Sequence, residues 1–186
     1  MTRPTLQIIL GSTRPGRQGV YVARWVAQAA TAQGDFRVET IDLAEVALPL
    51  LDEPNHPSQQ QYTQDHTIAW SSTIRRADAF VFVVPEYNHS FPASLKNALD
   101  YLFVEWANKP VGLVSYGGIS AGLRSATALK PVLLALRMVP VLEAVSIPNV
   151  GERVSAEGFR AYDEADSSLG AMLAQLSRTT KLGQAL

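Results

Sequence analysis

The 186-residue chain has no cysteine. That excludes disulfides, iron–sulfur clusters, thiolate metal sites and a thiol nucleophile. A charge excess is missing too: 16 basic side chains face 17 acidic ones, for a formal net charge of -1. Nothing in that balance draws the protein to nucleic acid or to an anionic membrane. No apolar run is long enough to span a bilayer, and Met1-Thr2-Arg3-Pro4 leads into an apolar stretch too short for a secretory leader. The histidines His56, His66 and His89 show no paired ligand spacing, and the carboxylates are scattered. A zinc enzyme or a two-carboxylate hydrolase is therefore not indicated. Internal repeats and low-complexity tracts are also absent. What remains is an ordinary balance, 47% hydrophobic and 18% charged, able to bury a full core. The expectation is a single domain over residues 1–186, in the cytoplasm, with no nucleic-acid or membrane partner.

The apolar pattern alternates between two periods. Leu6 to Leu10 is a short apolar run ending at Gly11, as a parallel strand covered on both faces would read. Gln18 to Ala32 places Val20, Ala23, Ala27 and Ala30 at helical spacing, and Gly34 ends the helix. Phe36 to Leu43 alternates as a second strand, and residues 44–58, with three prolines, read as a loop. A helix is expected over Gln59 to Arg76, with Tyr62, Ile68, Ala69 and Ile74 inward. Ala79 to Val84 is the clearest strand, stopped at Pro85. Pro92 and Ser94 open a helix with Leu95, Leu99 and Leu102 inward. Val111 to Ser115 is a fourth strand, and Ser120 to Leu136 a helix that Pro131 would kink. Val139 to Ile147 is a fifth strand, and Phe159 to about Lys181 a closing helix. Such alternation implies right-handed crossovers and an α/β three-layer sandwich. Five parallel strands suit the flavodoxin-like order 2-1-3-4-5.

Ligands of open parallel sheets sit beyond the carboxyl ends of the strands, near the switch in strand order. Three loops leave those ends. The first, Gly11-Ser12-Thr13-Arg14-Pro15-Gly16-Arg17-Gln18-Gly19, opens a helix, whose free N–H groups and dipole favour a phosphate. Arg14 and Arg17 add charge and a fork suited to phosphate oxygens. Gly11 and Gly16 match the spacing of an ATP-binding P-loop, but Arg17-Gln18 stand where Lys-Ser/Thr is required. A single terminal phosphate without metal fits best. The alternative is a plain glycine-rich turn with solvated arginines. The second loop, Pro85 to Pro92, offers Tyr87, Asn88 and two prolines to a flat ring; it reads equally as a structured turn, with His89 exposed. The third, Ser115 to Gly122, carries glycines that permit close approach, or simply a flexible connection. What raises their joint weight is that all three face one crevice.

At these residues the chain resembles the flavodoxin-like NADPH-dependent FMN reductases, a family that includes NAD(P)H quinone reductases and some azoreductases. The resemblance runs from Gly11 to about Ile147. Its most specific piece is Pro85-Glu86-Tyr87-Asn88-His89-Ser90-Phe91-Pro92-Ala93-Ser94-Leu95-Lys96-Asn97-Ala98-Leu99-Asp100, similar to the family's P-E-Y-N-x-S-x-P-x-x-L-K-N-A-(I/L)-D signature. The stretches Glu105-Trp106, Lys109-Pro110-Val111 and Ser115-Tyr116-Gly117-Gly118 are similar as well. The resemblance implies bound flavin mononucleotide (FMN), with Ser12, Arg14, Arg17, Gln18 and Gly19 around its phosphate. It implies that Pro85, Glu86, Tyr87 and Asn88 meet the isoalloxazine ring, and that Ser115, Tyr116 and Gly117 flank it. Many members carry Ser and Asn at the positions of Arg17 and Gly19, which is a departure. The family further implies NADPH or NADH as hydride donor, a small-molecule electron acceptor such as a quinone, azo compound or flavin, and a ping-pong cycle with no catalytic side chain. It implies a homodimer or homotetramer, with the helix after the second loop at the interface.

Two other functions are compatible with the same fold, because fold does not fix function. A flavodoxin-type electron carrier would be strongly acidic, with a phosphate loop rich in Ser and Thr; this chain is near neutral with two arginines there. A non-enzymatic flavin- or nucleotide-binding regulator would leave the complete ring-contacting signature without a purpose.

Overall fold

A computed structural model describes residues 3–184. At its centre β1 (Thr5–Leu10) pairs in parallel with β2 (Arg37–Asp42) on one side and β3 (Ala79–Pro85) on the other. β3 continues to β4 (Pro110–Tyr116), and β4 to the short β5 (Val139–Pro140) and β6 (Val145–Ile147). The order is β2-β1-β3-β4-β5, with β6 also paired to β4, so the expected flavodoxin-like order holds. The last strand differs from expectation. It is two pieces on one edge of β4, separated by residues 141–144, and Pro140, which has no N–H to give a ladder, ends the first piece.

Strand residues alternate between two cores, as a period-2 backbone requires. Leu6, Ile8 and Leu10 of β1, with Val81 and Val83 of β3, pack under α1 (Gly19–Gln33) and α6 (Asp163–Gln184). Ile9, Phe80, Phe82 and Val84 face the opposite layer of α3 (Asp65–Arg75), α4 (Ala93–Asp100) and α5 (Leu123–Ala135). Trp70 and Trp106 are buried there edge to face, their centroids 6.1 Å apart. Gly112 of β4 lets α6 close on the sheet, since a Cβ there would lie 2.8 Å from Met172 Sδ.

Several element boundaries depart from the sequence reading. The helix expected over Gln59 to Arg76 is shorter, Asp65–Arg75, preceded by an extended segment. Its inward face is Thr67, Trp70, Ser71 and Ile74, so Ile74 was placed correctly while Ile68 and Ala69 point outward. The stretch read as loop contains α2 (Leu43–Val46), a single turn whose N-terminal N–H at Ala44 is capped by Asp42 Oδ1 at 2.9 Å. α5 continues past Pro131 to Ala135. The closing helix begins at Asp163 rather than Phe159, because β7 (Val154–Ser155) and β8 (Gly158–Phe159) form a small antiparallel hairpin first. Trp25 of α1 holds that hairpin, stacking on Phe159 at 5.0 Å and donating to Asp166 at 2.9 Å. Among the described residues no helix is long and apolar enough to cross a membrane.

Candidate functional site

The first loop leaves β1 without breaking the ladder: Gly11 N–H still donates to Val83 at 3.0 Å, and Ser94 Oγ at the head of α4 donates to the Gly11 carbonyl at 2.6 Å. Ser12 is 2% exposed, its hydroxyl 2.6 Å from the Tyr87 hydroxyl of the second loop and accepting from Arg14 N–H at 3.3 Å. The loop then turns, with Arg17 N–H donating to Arg14 at 3.1 Å, and enters α1 at Gly19. No side chain caps the start of α1, and no acidic residue occupies its first turn. The positive end of the helix dipole is thus not offset by an acidic side chain, while Gly19 N–H turns to the Tyr116 hydroxyl and Tyr21 N–H bonds the Gln18 carbonyl at 3.1 Å. Gly19 is there because of its neighbour: a Cβ at this position would lie 2.5 Å from Tyr116 Oη.

The second loop begins inside the sheet, where Pro85 pairs with Tyr116 and Glu86 N–H donates to the Tyr116 carbonyl at 3.2 Å. Tyr87 and Ser90 then exchange both backbone hydrogen bonds, at 2.9 and 3.0 Å, around Asn88 (φ 50°) and His89 (φ 68°). Two central residues at positive φ make a primed two-residue hairpin turn, which asparagine tolerates well. The Glu86 carboxylate turns to the third loop. It accepts from Ser120 Oγ at 3.1 Å and Arg124 N–H at 3.2 Å, and it pairs with the Arg124 guanidinium. Burial works to raise the Glu86 carboxyl, but the hydrogen bonds from Arg124 and Ser120 outweigh it and hold the group below the usual carboxylate range.

The third loop is stitched from below and from the side. Ser115 Oγ is buried and donates to Ala121 at 2.9 Å. Gly122 sits at φ 76°, where a Cβ would meet Tyr116 N at 2.7 Å. Gly117 N–H donates to Ile147, and the carbonyls of Gly117 and Gly118 accept from Val150 and Asn149 at 3.0 Å each. Tyr116 stands at the centre. Burial pushes its phenol upward and the neighbouring Tyr87 adds to that, against the Gly19 N–H and Arg17.

These pieces enclose a cleft of about 530 Å³ at the carboxyl ends of β1, β3 and β4, a size suited to a cofactor. Of the twelve residues expected around the ligand, Arg14, Arg17, Gln18, Pro85, Glu86, Tyr87, Tyr116 and Gly117 line it. Ser12 lies beneath Tyr87, Gly19 beneath Tyr116, and Ser115 is buried under the third loop. Asn88 is at the exposed tip of the hairpin. A fourth wall, Asn149, Val150, Gly151 and Glu152, was not anticipated. The Pro148-Asn149-Val150-Gly151 turn after the last strand is the sequence signal that could have revealed it. Asp42, which pairs with Arg17, was also missed. Among the described residues there is no group of three or more His, Asp or Glu side chains able to hold a metal.

The cleft fits a phosphate-bearing group on evidence independent of any relative. Arg17 Nε is buried with no acceptor, the start of α1 is uncapped, and the exposed Arg14 reaches no carboxylate among the described residues. A buried unsatisfied donor costs about 1–3 kcal/mol, so the site is built for an acceptor. Two guanidinium groups beside the positive end of a helix dipole favour an anion.

Strand order and a cleft at the switch point together define a flavodoxin-like α/β protein. The family model for NADPH-dependent FMN reductase matches residues 4–152. An NAD(P)H-dependent FMN reductase of Schizosaccharomyces pombe is 43% identical over 149 residues, covering 78% of this chain and 74% of that protein. A quinone reductase of Escherichia coli K12 is 36% identical over 140 residues, covering 70% and 71%. In structure, the flavoenzyme NAD(P)H:acceptor oxidoreductase FerB of Paracoccus denitrificans superposes with a TM-score of 0.73 at 21% identity, covering 95% of this chain and 98% of that one. The chain belongs to the NADPH-dependent FMN reductase family of oxidoreductases.

Proposed function

We propose that the protein is an FMN-dependent oxidoreductase that takes a hydride from NADPH or NADH and delivers the electrons to a small-molecule acceptor. The observation that carries this reading is the convergence of three sheet-end loops on one cleft, in which a buried, unpartnered Arg17 Nε, Arg14 and the uncapped start of α1 meet. When bound, FMN supplies the redox chemistry, accepting a hydride from the nicotinamide and passing electrons on in a ping-pong cycle.

The side chains do the rest. Arg14, Arg17 and the positive end of the α1 dipole hold the phosphate. Pro85, Tyr87 and Gly117 form walls for the ring, and Ser12 fixes the Tyr87 hydroxyl. Glu86 ties the second loop to the third through Ser120 and Arg124, keeping the ring walls at constant spacing. Tyr116 holds its proton, because burial pushes its phenol upward, so it offers a neutral wall rather than an anion. No side chain is needed as nucleophile or proton donor. The acceptors fall in the class of quinones, azo compounds and flavins, which a wide, partly polar cleft admits.

The working form is a homodimer or homotetramer in the cytoplasm, built on the face of α4. Leu50, 83% exposed, and Leu51 lie on the strap that Asn97 and Tyr101 bind against that face, so apolar surface there is available to a second subunit. Sedimentation of the purified protein tests the assembly. The chemistry is tested by adding NADPH or NADH anaerobically to the flavin-loaded protein and following the flavin absorbance. Bleaching by either nucleotide supports the reading; a bound flavin that neither nucleotide bleaches refutes it.

A further inference from the structure

We propose that Asp42 is a positioning residue for the phosphate end of the cleft: it holds the Arg17 guanidinium in place, and thereby makes this pocket discriminate FMN from riboflavin. The inference rests on reading the Gly11–Gly19 loop as the phosphate site.

Asp42 is the last residue of β2, in register with Leu10, the last residue of β1. Its backbone is therefore anchored one strand away from the point where the phosphate loop departs. Its side chain is 13% exposed and committed at both oxygens. Oδ2 pairs with Arg17 Nη2, and Oδ1 accepts the Ala44 N–H at 2.9 Å, capping α2. A carboxylate held by strand and helix cannot follow a moving arginine; it fixes where the arginine stands.

Arg17 is held to match. Its side chain is 18% exposed and its N–H bonds the Arg14 carbonyl at 3.1 Å. One edge of the guanidinium is spent on Asp42, while Nε is buried and unpartnered in a residue that lines the cleft. That division is what an oriented donor requires: one side bolted to the scaffold, the other free for a ligand acceptor. Because the Asp42 carboxylate opposes the Arg17 charge, the contribution of Arg17 is chiefly directional. Long-range attraction of the anion falls instead to Arg14, which is exposed and without a carboxylate partner among the described residues.

An arginine left free must be immobilised when the ligand arrives. Ordering one rotamer-rich side chain weakens binding by roughly two- to twelvefold. Riboflavin has the same ring and ribityl chain but no phosphate, so it should not sense the loss. Removing the carboxylate also removes a like charge from near the phosphate, which would favour binding. At about 1 M salt the Debye length is about 3 Å, which weakens that opposing effect where solvent reaches it.

The test titrates the full chain, stripped of flavin, with FMN and with riboflavin at high salt. Wild type, Asp42→Asn, Arg17→Ala and the double variant are compared. Asp42→Asn should raise the FMN dissociation constant by roughly two- to twelvefold, leave that of riboflavin unchanged, and add nothing once Arg17 is Ala. If Asp42→Asn does not fold, Asp42→Ser keeps a hydroxyl acceptor for the Ala44 N–H and carries the same expectation. FMN binding as tight as wild type overturns the proposal. Equal losses for FMN and riboflavin overturn it too, because they show a general role through α2. Wild-type protein that holds riboflavin as tightly as FMN refutes the phosphate reading itself, and this proposal with it.

Discussion

Replacing Gly19 with Ala tests the close approach on which the cleft is built. Gly19 is the first residue of α1, directly beneath Tyr116, and an added Cβ would lie 2.5 Å from Tyr116 Oη and 3.3 Å from Cζ. The Tyr116 ring cannot yield inward, since the residue is 4% exposed and its backbone is paired with both Pro85 and Ile147. Its open direction is the cleft. Overpacking of this kind costs about 1–3 kcal/mol, and exchanging Gly for Ala within a helix returns at most about 1 kcal/mol. The net expectation is a loss of about 0–2 kcal/mol in stability, read by urea denaturation of the flavin-free protein. FMN affinity should fall further, by about tenfold or about 1.4 kcal/mol, because the displaced hydroxyl enters ligand space. Flavin titration monitored by fluorescence measures this. Adding Tyr116→Phe removes the clashing oxygen and should restore both quantities. A Gly19→Ala protein as stable as wild type, with unchanged FMN affinity, would refute the reasoning by showing that Tyr116 has slack.

Two further outcomes are expected. Arg14→Ala removes the exposed cation of the first loop and should weaken FMN binding by about 1.5–3 kcal/mol, the worth of a hydrogen bond to a charged group. It should also flatten the salt dependence of that binding; unchanged retention would mean that backbone N–H groups and Arg17 do most of the holding. Glu105, whose side chain is fully buried, accepts from Ser71 at 2.7 Å, Tyr62 at 3.0 Å and Arg75 at 3.0 Å. Glu105→Gln weakens those charge-assisted bonds, and because the Arg75 left behind is half exposed it should destabilise by about 1.5–3 kcal/mol at neutral pH. The effect has a pH signature. Burial works to raise the Glu105 carboxyl, but the bonds from Ser71 and Tyr62, with Arg75, outweigh it and lower it from 4.5. The unfolded chain therefore takes up the proton first as pH falls, so the stabilisation is complete above 4.5 and is lost as pH drops through the lower folded value. The melting-temperature gap between wild type and Glu105→Gln should narrow over that acid range, and a gap independent of pH would contradict the assignment.

Much of the architecture was legible because it rests on local periodicity. The apolar runs at Leu6 to Leu10 and Ala79 to Val84 had to be strands covered on both faces, and Gly34 had to end α1, where it adopts φ 80°. The failures lie where periodicity is short or interrupted. α2 is one turn long, too brief for a helical period, and β5 and β6 are separated by four residues that the sequence pattern bridged. In α3 the apolar Ile68 suggested an inward face, yet Thr67 and Ser71 are buried there instead, because Glu105 from a distant segment supplies a partner for the Ser71 hydroxyl.

For the site, the sequence by itself determined its location and its ligand class. A strand followed by a glycine-rich, arginine-bearing helix start favours an anion, and the Pro85-to-Asp100 signature carries the family resemblance. Tertiary structure alone decided what each side chain does there. Arg17 proves to be bolted to Asp42, 25 positions away, and Glu86 is tied directly to Ser120 and Arg124. Gly19 is required by Tyr116, and a fourth wall arrives from Asn149 to Glu152. The physical reason is common to all four. Helix starts and strand runs are set by neighbours along the chain, whereas a side chain's partner is set by which distant residue the folded sheet brings within hydrogen-bond reach.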